Sequence, residues 1–391
     1  MRPIVTASSS QLQALRSRRE SLALPEFSAS RKGLSPESLD LFTHAAQRLA
    51  RRYRTVGASV ILVFPEGVQV ICLGRRSLHP PLPVLEDTAF RVASITKTFV
   101  SAGILSYFEQ HGLSLDAPIR DLLPLSIAQP VTMRHLLTHT AGLVPEVPED
   151  GRIPFSRLLT RQEIWSGAAP GEQFVYSNLG AGIAGAVAEL LSGLSLQELL
   201  ARQLFSPLGI EAGLGPAHFP RPDSIARGYR VRSLLPPVLR YDPSRLQSSS
   251  FPEPGTDYQA GIGRLCTTPR GIAAMIRFLS AREDTPVLSL SMLEEMRSLQ
   301  DGKGGIRQCG RGLGVAFLPD LFPGFSPVGH QGVAYGMCAE MFCDPATGTG
   351  VGILTSGTRL SYISPLILPG FDLLCLGFEA LRSGLQNPVL L

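Results

Sequence analysis

The chain has 391 residues, 44% hydrophobic and 17% charged, with 39 glycines, 32 prolines and a net charge of +4. Apolar segments recur along a length that exceeds one small core, which excludes a disordered chain. The near-balanced charge, with no basic stripe interleaved with aromatics, argues against nucleic acid as a partner, and the lack of any run of about 18 apolar residues argues against a membrane span.

Residues 1–35 are polar and Ser-rich and predict a loosely attached arm. No apolar signal-peptide core is visible there, so a cytoplasmic protein is expected, or a periplasmic or extracellular one if a signal was trimmed. Ser35-Pro36-Glu37 places a capping serine and a first-turn proline ahead of an amphipathic helix over 36–54. Its Arg48, Arg51, Arg52 and Arg54 read as a solvated face. Apolar, β-branched runs at 58–64 and 68–73, joined by Pro65-Glu66-Gly67, predict a hairpin. After a Pro-interrupted connection, Ile95, Phe99, Ala102, Leu105 and Phe108 recur at helical spacing until Gly112. Residues 115–250 read as helices and long Pro-rich loops. Helices near 269–280 and 289–299, strands at 312–318, 333–343 and 349–355, and a helix near 365–382 follow. Strands at both ends of a helical block predict an α+β fold. In it 36–115 and 255–391 build an antiparallel sheet flanked by helices. A mainly helical domain, 116–254, is inserted, with the active site between the two.

Six cysteines (Cys72, Cys266, Cys309, Cys338, Cys343 and Cys375) show neither a C-x-x-C pair nor zinc spacing. Buried free thiols are expected, which favours a reducing compartment.

The strongest chemical signal is Ser94-Ile95-Thr96-Lys97 at the start of a helix. Residues three apart share a helix face, so the Lys97 amine reaches the Ser94 hydroxyl. Free N–H groups at a helix start favour negative charge, which suits an oxyanion. A serine hydroxyl becomes a nucleophile once a neighbouring base takes its proton. Two further triplets follow in order: Tyr176-Ser177-Asn178, and His330-Gln331-Gly332 ahead of an apolar strand. Each triplet alone is equally well a helix cap or a turn; the weight lies in three elements in a fixed order.

This constellation resembles the class C β-lactamases and their serine esterase and D-Ala-D-Ala peptidase relatives, a family recognised by an S-x-x-K, a Y-x-N and a third triplet. The resemblance extends over 90–97, 136–143, 170–178, 329–332, and Asp344-Pro345 before the strand at 350–354, and covers about 40–360. It implies a β-lactamase/transpeptidase-like fold, with Ser94 as nucleophile and Lys97 and Tyr176 sharing the movement of its proton. Asn178 would hydrogen-bond Lys97 and the substrate, and His330, Gln331 and Gly332 would be substrate-binding residues on the strand edging the cleft, where an extended acyl group pairs with backbone. The backbone N–H groups of Ser94 and Val333 would form the oxyanion hole. No metal or organic cofactor is expected; the partner is a small-molecule or peptide acyl substrate, and the oligomeric state is left open.

The third triplet departs from the pattern of the β-lactamases, which carry Lys where this chain has His330. Lysine is a permanent cation, whereas histidine is largely neutral near pH 7. Esters, then D-amino-acid peptides or amides, are therefore expected ahead of β-lactams. The alternative is a non-hydrolytic β-lactam-responsive receptor or scaffold on the same fold. His135 and His139 are four apart but lack the glutamate of a metalloprotease helix, so they read as structural. Gly310-Arg311-Gly312-Leu313-Gly314 reads as a turn. Trp165 reads equally as pocket wall or core.

Overall fold

The computed structural model describes residues 8–386 apart from 126, 128, 147–154, 246–254, 256–258, 301–310, 319 and 364–365. Cys309 lies outside the described residues, and the other five cysteines are free thiols.

The expected loose arm contains helix α1 (Ser9–Glu20), which is anchored. Ser8 and Gln11 form a capping box at its start. Leu12 and Leu15 are buried, and Arg18 donates to Asp372 and to the Tyr53 hydroxyl. The polar composition concealed this because the serines serve as caps and only a narrow apolar stripe touches the core.

Helix α2 (Pro36–Arg52) starts as its caps predict, with the Ser35 hydroxyl accepting from the Ser38 amide. Strands β1 (Gly57–Phe64) and β2 (Gly67–Ser77) form the expected hairpin, and β3 (Leu82–Pro83) pairs with β2. Helices α3 (Thr96–Gln110) and α4 (Asn178–Ser192) follow, then a separate hairpin of β4 (Gly228–Arg230) and β5 (Val238–Tyr241). Helix α5 (Pro269–Leu279) precedes β6 (Ala316–Phe317), β7 (Val328–Ala334), β8 (Met337–Asp344) and β9 (Thr349–Gly357), and α6 (Leu368–Gln386) closes the chain.

The main sheet has the order β6-β7-β8-β9-β1-β2-β3, antiparallel throughout, so β9 from the end of the chain pairs with β1 from its start. Every residue of β1 is buried. Alternate side chains feed two cores: Ile61 and Val63 pack with Phe99 of α3 and Ile272 of α5, while Val60 and Leu62 pack with Phe42 of α2 and Phe378 of α6. A strand covered by helices on both faces is apolar without alternation, as this one is.

The strand expected at 333–343 is instead two strands joined at Tyr335 and Gly336, both with positive φ, +53° and +86°. That is a two-residue hairpin turn of the twist-matching kind. Tyrosine seldom takes positive φ, so the residues around the turn read as continuous strand. The strand expected at 312–318 shortens to β6. Among the described residues no single helix is long and apolar enough to cross a membrane.

Candidate active site

Ser94 sits in a short 3₁₀ turn, Ala93–Ile95, that leads into α3. Ala93 enters the turn at φ +48°, a conformation costly for any residue with a Cβ and one that concentrates at functional sites. One turn on, Lys97 is 3% exposed. Its amine donates to Ser94 Oγ at 3.2 Å and to the Ile262 carbonyl at 2.8 Å. Ile262 lies in the short helix Ala260–Gly263. The Tyr176 ring centroid is 5.3 Å from the same amine. The three residues expected to carry the chemistry are thus together.

Tyr176 is held by its neighbours on the chain. The Ser177 hydroxyl accepts from the Gly180 amide, capping α4, and donates to the Val144 carbonyl at 2.6 Å. The Ser177 amide donates to His139 Nδ1 at 3.1 Å, and the Val175 amide to the His139 carbonyl at 2.9 Å. The His139 ring lies against Tyr176, centroids 4.4 Å apart and tilted by 34°, and meets Phe174 edge-on at 6.1 Å. Accepting at Nδ1 puts the proton of the neutral imidazole on Nε2. Burial pushes the His139 pKa well below 6.5, and Arg311, Lys97 and His330 push the same way. His139 itself has φ +59°, a second strained position beside the site.

Strand β7 forms the other wall. Because β6 pairs only with Val328 and Gly329, it leaves 330–334 without a partner from that strand. Gly332 is what permits close approach: a Cβ there would collide with the Val92 carbonyl oxygen and fall 3.0 Å from the Ser94 amide nitrogen. His330 is 1% exposed and donates from Nδ1 to the Gln331 carbonyl at 2.6 Å. Its Nε2 is buried without a hydrogen-bond partner among the described residues, and its ring is 6.3 Å from Tyr176. Burial, then Arg311 and Lys97, push its pKa well below 6.5, so residue 330 is neutral. Besides the Lys97 amine, the phenol ring has Arg311 beside it, 6% exposed, whose guanidinium carbon is 5.5 Å from the Tyr176 centroid and 5.7 Å from that of Phe174.

Asn178 departs from its expected role, and Gln331 lines the cleft by its backbone alone. Gln331 pairs across the sheet with Glu340, which packs on Gly370 of α6. Strand alternation therefore puts the Gln331 side chain on the α6 face, opposite His330, and only its backbone runs along the cleft wall. Asn178 makes no hydrogen bond to Lys97, whose amine is taken by Ser94 and Ile262. The Asn178 Nδ2 donates to Glu146 at 3.3 Å, and its Oδ1 is buried without a partner among the described residues.

The sequence reading missed His139 and Arg311 as members of the site. His139 lies in the 136–143 stretch that carried the resemblance, but nothing in the stretch marks it as touching Tyr176. Arg311 lies in a glycine-rich run that reads as a turn. His135 serves elsewhere: with Thr132 it completes the capping box of the helix Met133–Leu137. Trp165 is partly buried against the main core.

The two buried imidazoles set an acid limit on stability. Both are neutral in the fold, and in the unfolded chain both bind a proton below about pH 6.5. Their contribution is complete above that pH and is lost as pH falls through the depressed folded values, at about 1.4 kcal/mol per pH unit for each histidine. Thermal melts between pH 7.5 and 5.0 are expected to show Tm falling with pH, less steeply in His330→Asn.

Residues 42–361 match the β-lactamase family. A β-lactamase of Escherichia coli is 28% identical over 180 residues, covering 44% of this chain and 48% of that protein. Esterase EstB of Burkholderia gladioli is 28% identical over 333 residues, covering 73% of this chain and 82% of that one. Among solved structures, a β-lactamase/D-alanine carboxypeptidase of Pseudomonas syringae shares the fold with TM-score 0.71 at 18% identity, covering 90% of this chain and 99% of that one. With its family match spanning most of the chain and its fold shared over nearly all of it, the protein belongs to the β-lactamase family.

Proposed function

We propose that this chain hydrolyses esters and D-amino-acid peptides or amides through a covalent ester on Ser94. The observation that carries the reading is the Lys97 amine, fixed between Ser94 Oγ and the Ile262 carbonyl with the Tyr176 ring beside it. Ser94 Oγ bonds to the acyl carbon, and Lys97 and Tyr176 pass its proton to the departing alcohol or amine. Water then cleaves the Ser94 ester, its proton returning to the serine. The amides of Ser94 and Val333 receive the developing oxyanion, which the close approach at Gly332 supports.

Neutral His330 supports esters and peptides over β-lactams, since no fixed charge stands at the position where β-lactamases of class C carry lysine. The test is a panel of a nitrophenyl butyrate, a peptide ending in D-Ala-D-Ala and a chromogenic cephalosporin. The ester or the peptide is expected to turn over fastest. A cephalosporin rate equal to the best ester overturns the preference, and one equivalent of product followed by nothing points to a receptor.

In this reading His139 is a positioning residue, acting through Tyr176. His139→Phe keeps a ring but loses the acceptor for the Ser177 amide, and is expected to lower kcat about ten- to hundredfold with KM little changed. His139→Asn, which restores an acceptor and tolerates positive φ, is expected to recover part of the loss. Full additivity of His139→Phe with Tyr176→Phe would show that the two act separately.

A further inference from the structure

The arginine cluster of α2 has a neighbour that the catalytic reading leaves unused. Hairpin β4–β5 projects the segment 231–237, and at its tip Leu234 is 93% exposed. Leu235 (51%), Val238 (48%) and Leu239 (36%) are exposed beside it. Four large aliphatic side chains are thus exposed within six positions at and beside the tip, a local concentration of the kind that marks an interaction site. Arg230, Arg232 and Arg240 are exposed around them, and residues 226–241 include four arginines and no acidic residue. Beneath the tip α2 ends in exposed Arg51 and Arg52. Arg54, at φ +51°, lays its guanidinium on the carbonyls of Arg232, Ser233 and Leu235.

The backbone of the tip indicates the partner. Pro236 and Pro237 have no N–H, and Arg54 occupies three of the carbonyls. Part of the polar backbone at the tip therefore needs no water, which lowers the cost of entering the interfacial layer of a bilayer. Two copies meeting tip to tip would set one arginine collar against another, which like-charge repulsion opposes. Nucleic acid would want aromatic platforms, and this tip presents aliphatic ones. We infer that the β4–β5 hairpin is a membrane-docking wedge: its leucines enter the bilayer interface and its arginines take anionic headgroups.

The wedge is fastened to the cleft wall. Gly336, in the turn that follows β7, packs on the backbone of Tyr229 and Arg230 in β4. The rings of Tyr241 and Tyr335 are 5.9 Å apart, with the Arg91 guanidinium 5.3 and 4.7 Å from their centroids. Docking therefore brings the strand of His330 and Gly332 towards the lipid surface, which favours acyl substrates presented at a bilayer. This last step rests on the proposed hydrolase function; the docking itself does not.

The experiment is co-sedimentation of the full chain with vesicles of phosphatidylcholine alone, or mixed 3:1 with phosphatidylglycerol. Wild type is expected to pellet with the mixed vesicles and to be released by salt. Leu234→Ser with Leu235→Ser is expected to weaken partitioning at least about tenfold, and Arg230→Gln with Arg232→Gln and Arg240→Gln to abolish the preference for the anionic lipid. The leucine variant is expected to hydrolyse a water-soluble ester like wild type, which shows that it is folded, while losing activity on an ester dissolved in the vesicles. Three results overturn the wedge: wild type staying in the supernatant, equal binding by the leucine variant, or a leucine-dependent self-association that covers the tip in solution. Vesicle binding by Ser94→Ala equal to wild type keeps this test separate from that of the catalytic reading.

Discussion

Ser94→Ala is expected to lower kcat/KM on the best substrate of the panel by at least about a thousandfold, the loss typical of removing an essential nucleophile. The structure makes this a clean deletion. Ser94 is half-buried in a turn whose shape is set by backbone: the strained Ala93 before it, Gly332 against its amide, and the start of α3 after it. Removing one oxygen leaves all three in place, and the Lys97 amine keeps the Ile262 carbonyl as acceptor. The proposed oxyanion donors are backbone amides that the substitution leaves in place, so a small residual rate above background is expected. A steady-state comparison of the two purified proteins, with melting temperatures alongside, is the measurement. Indistinguishable rates would remove Ser94 as the nucleophile.

Lys97→Met is expected to cost a comparable factor, about a thousandfold, because proton transfer to and from the serine loses its closest partner. Methionine matches the length of the lysine stem, so the space behind Ser94 stays filled. The Ile262 carbonyl, partly buried, loses this donor, which costs up to about 1 kcal/mol of stability. Melting temperature and activity should thus separate: a modest fall in the first, a near-complete loss in the second. Lys97→Arg is expected not to rescue. The guanidinium is a wide, planar fork, and it cannot replace a compact amine held between two acceptors and an aromatic ring. Retention of more than a tenth of the activity in either variant would assign the proton to Tyr176 alone.

The outline of the fold was legible where local physics decides it. The capping serine and proline of α2, the Pro-Glu-Gly turn between β1 and β2 and the apolar periodicity of α3 each specify their element within a few residues. The β7–β8 turn was not legible, because Tyr335 takes a positive φ that its residue type disfavours and only the pairing of the flanking strands enforces it. Helix α1 was hidden for the opposite reason. Its composition is that of an exposed arm, and its order comes from Leu12 and Leu15 in the core shared by α2, α6 and the main sheet and from Arg18 on Asp372.

By itself the sequence determined the pairing of Ser94 with Lys97, because residues three apart at a helix start meet whatever the rest of the chain does. It also determined, through the spacing and order of its three triplets, the family to which the chain belongs. The surroundings of that pair were decided by tertiary structure alone. His139 touches Tyr176 and Arg311 lies over it only because the chain folds segments of very different position onto one phenol. The Gln331 side chain turns away from the cleft and that of His330 towards it because the pleat of β7 sends neighbours to opposite faces. The neutrality of His330 comes from burial and from the side chains of Arg311 and Lys97, which other segments of the chain bring beside it. A local sequence pattern encodes what adjacent residues must do; charge, burial and the partner of each polar atom depend on which distant segments the packing brings together.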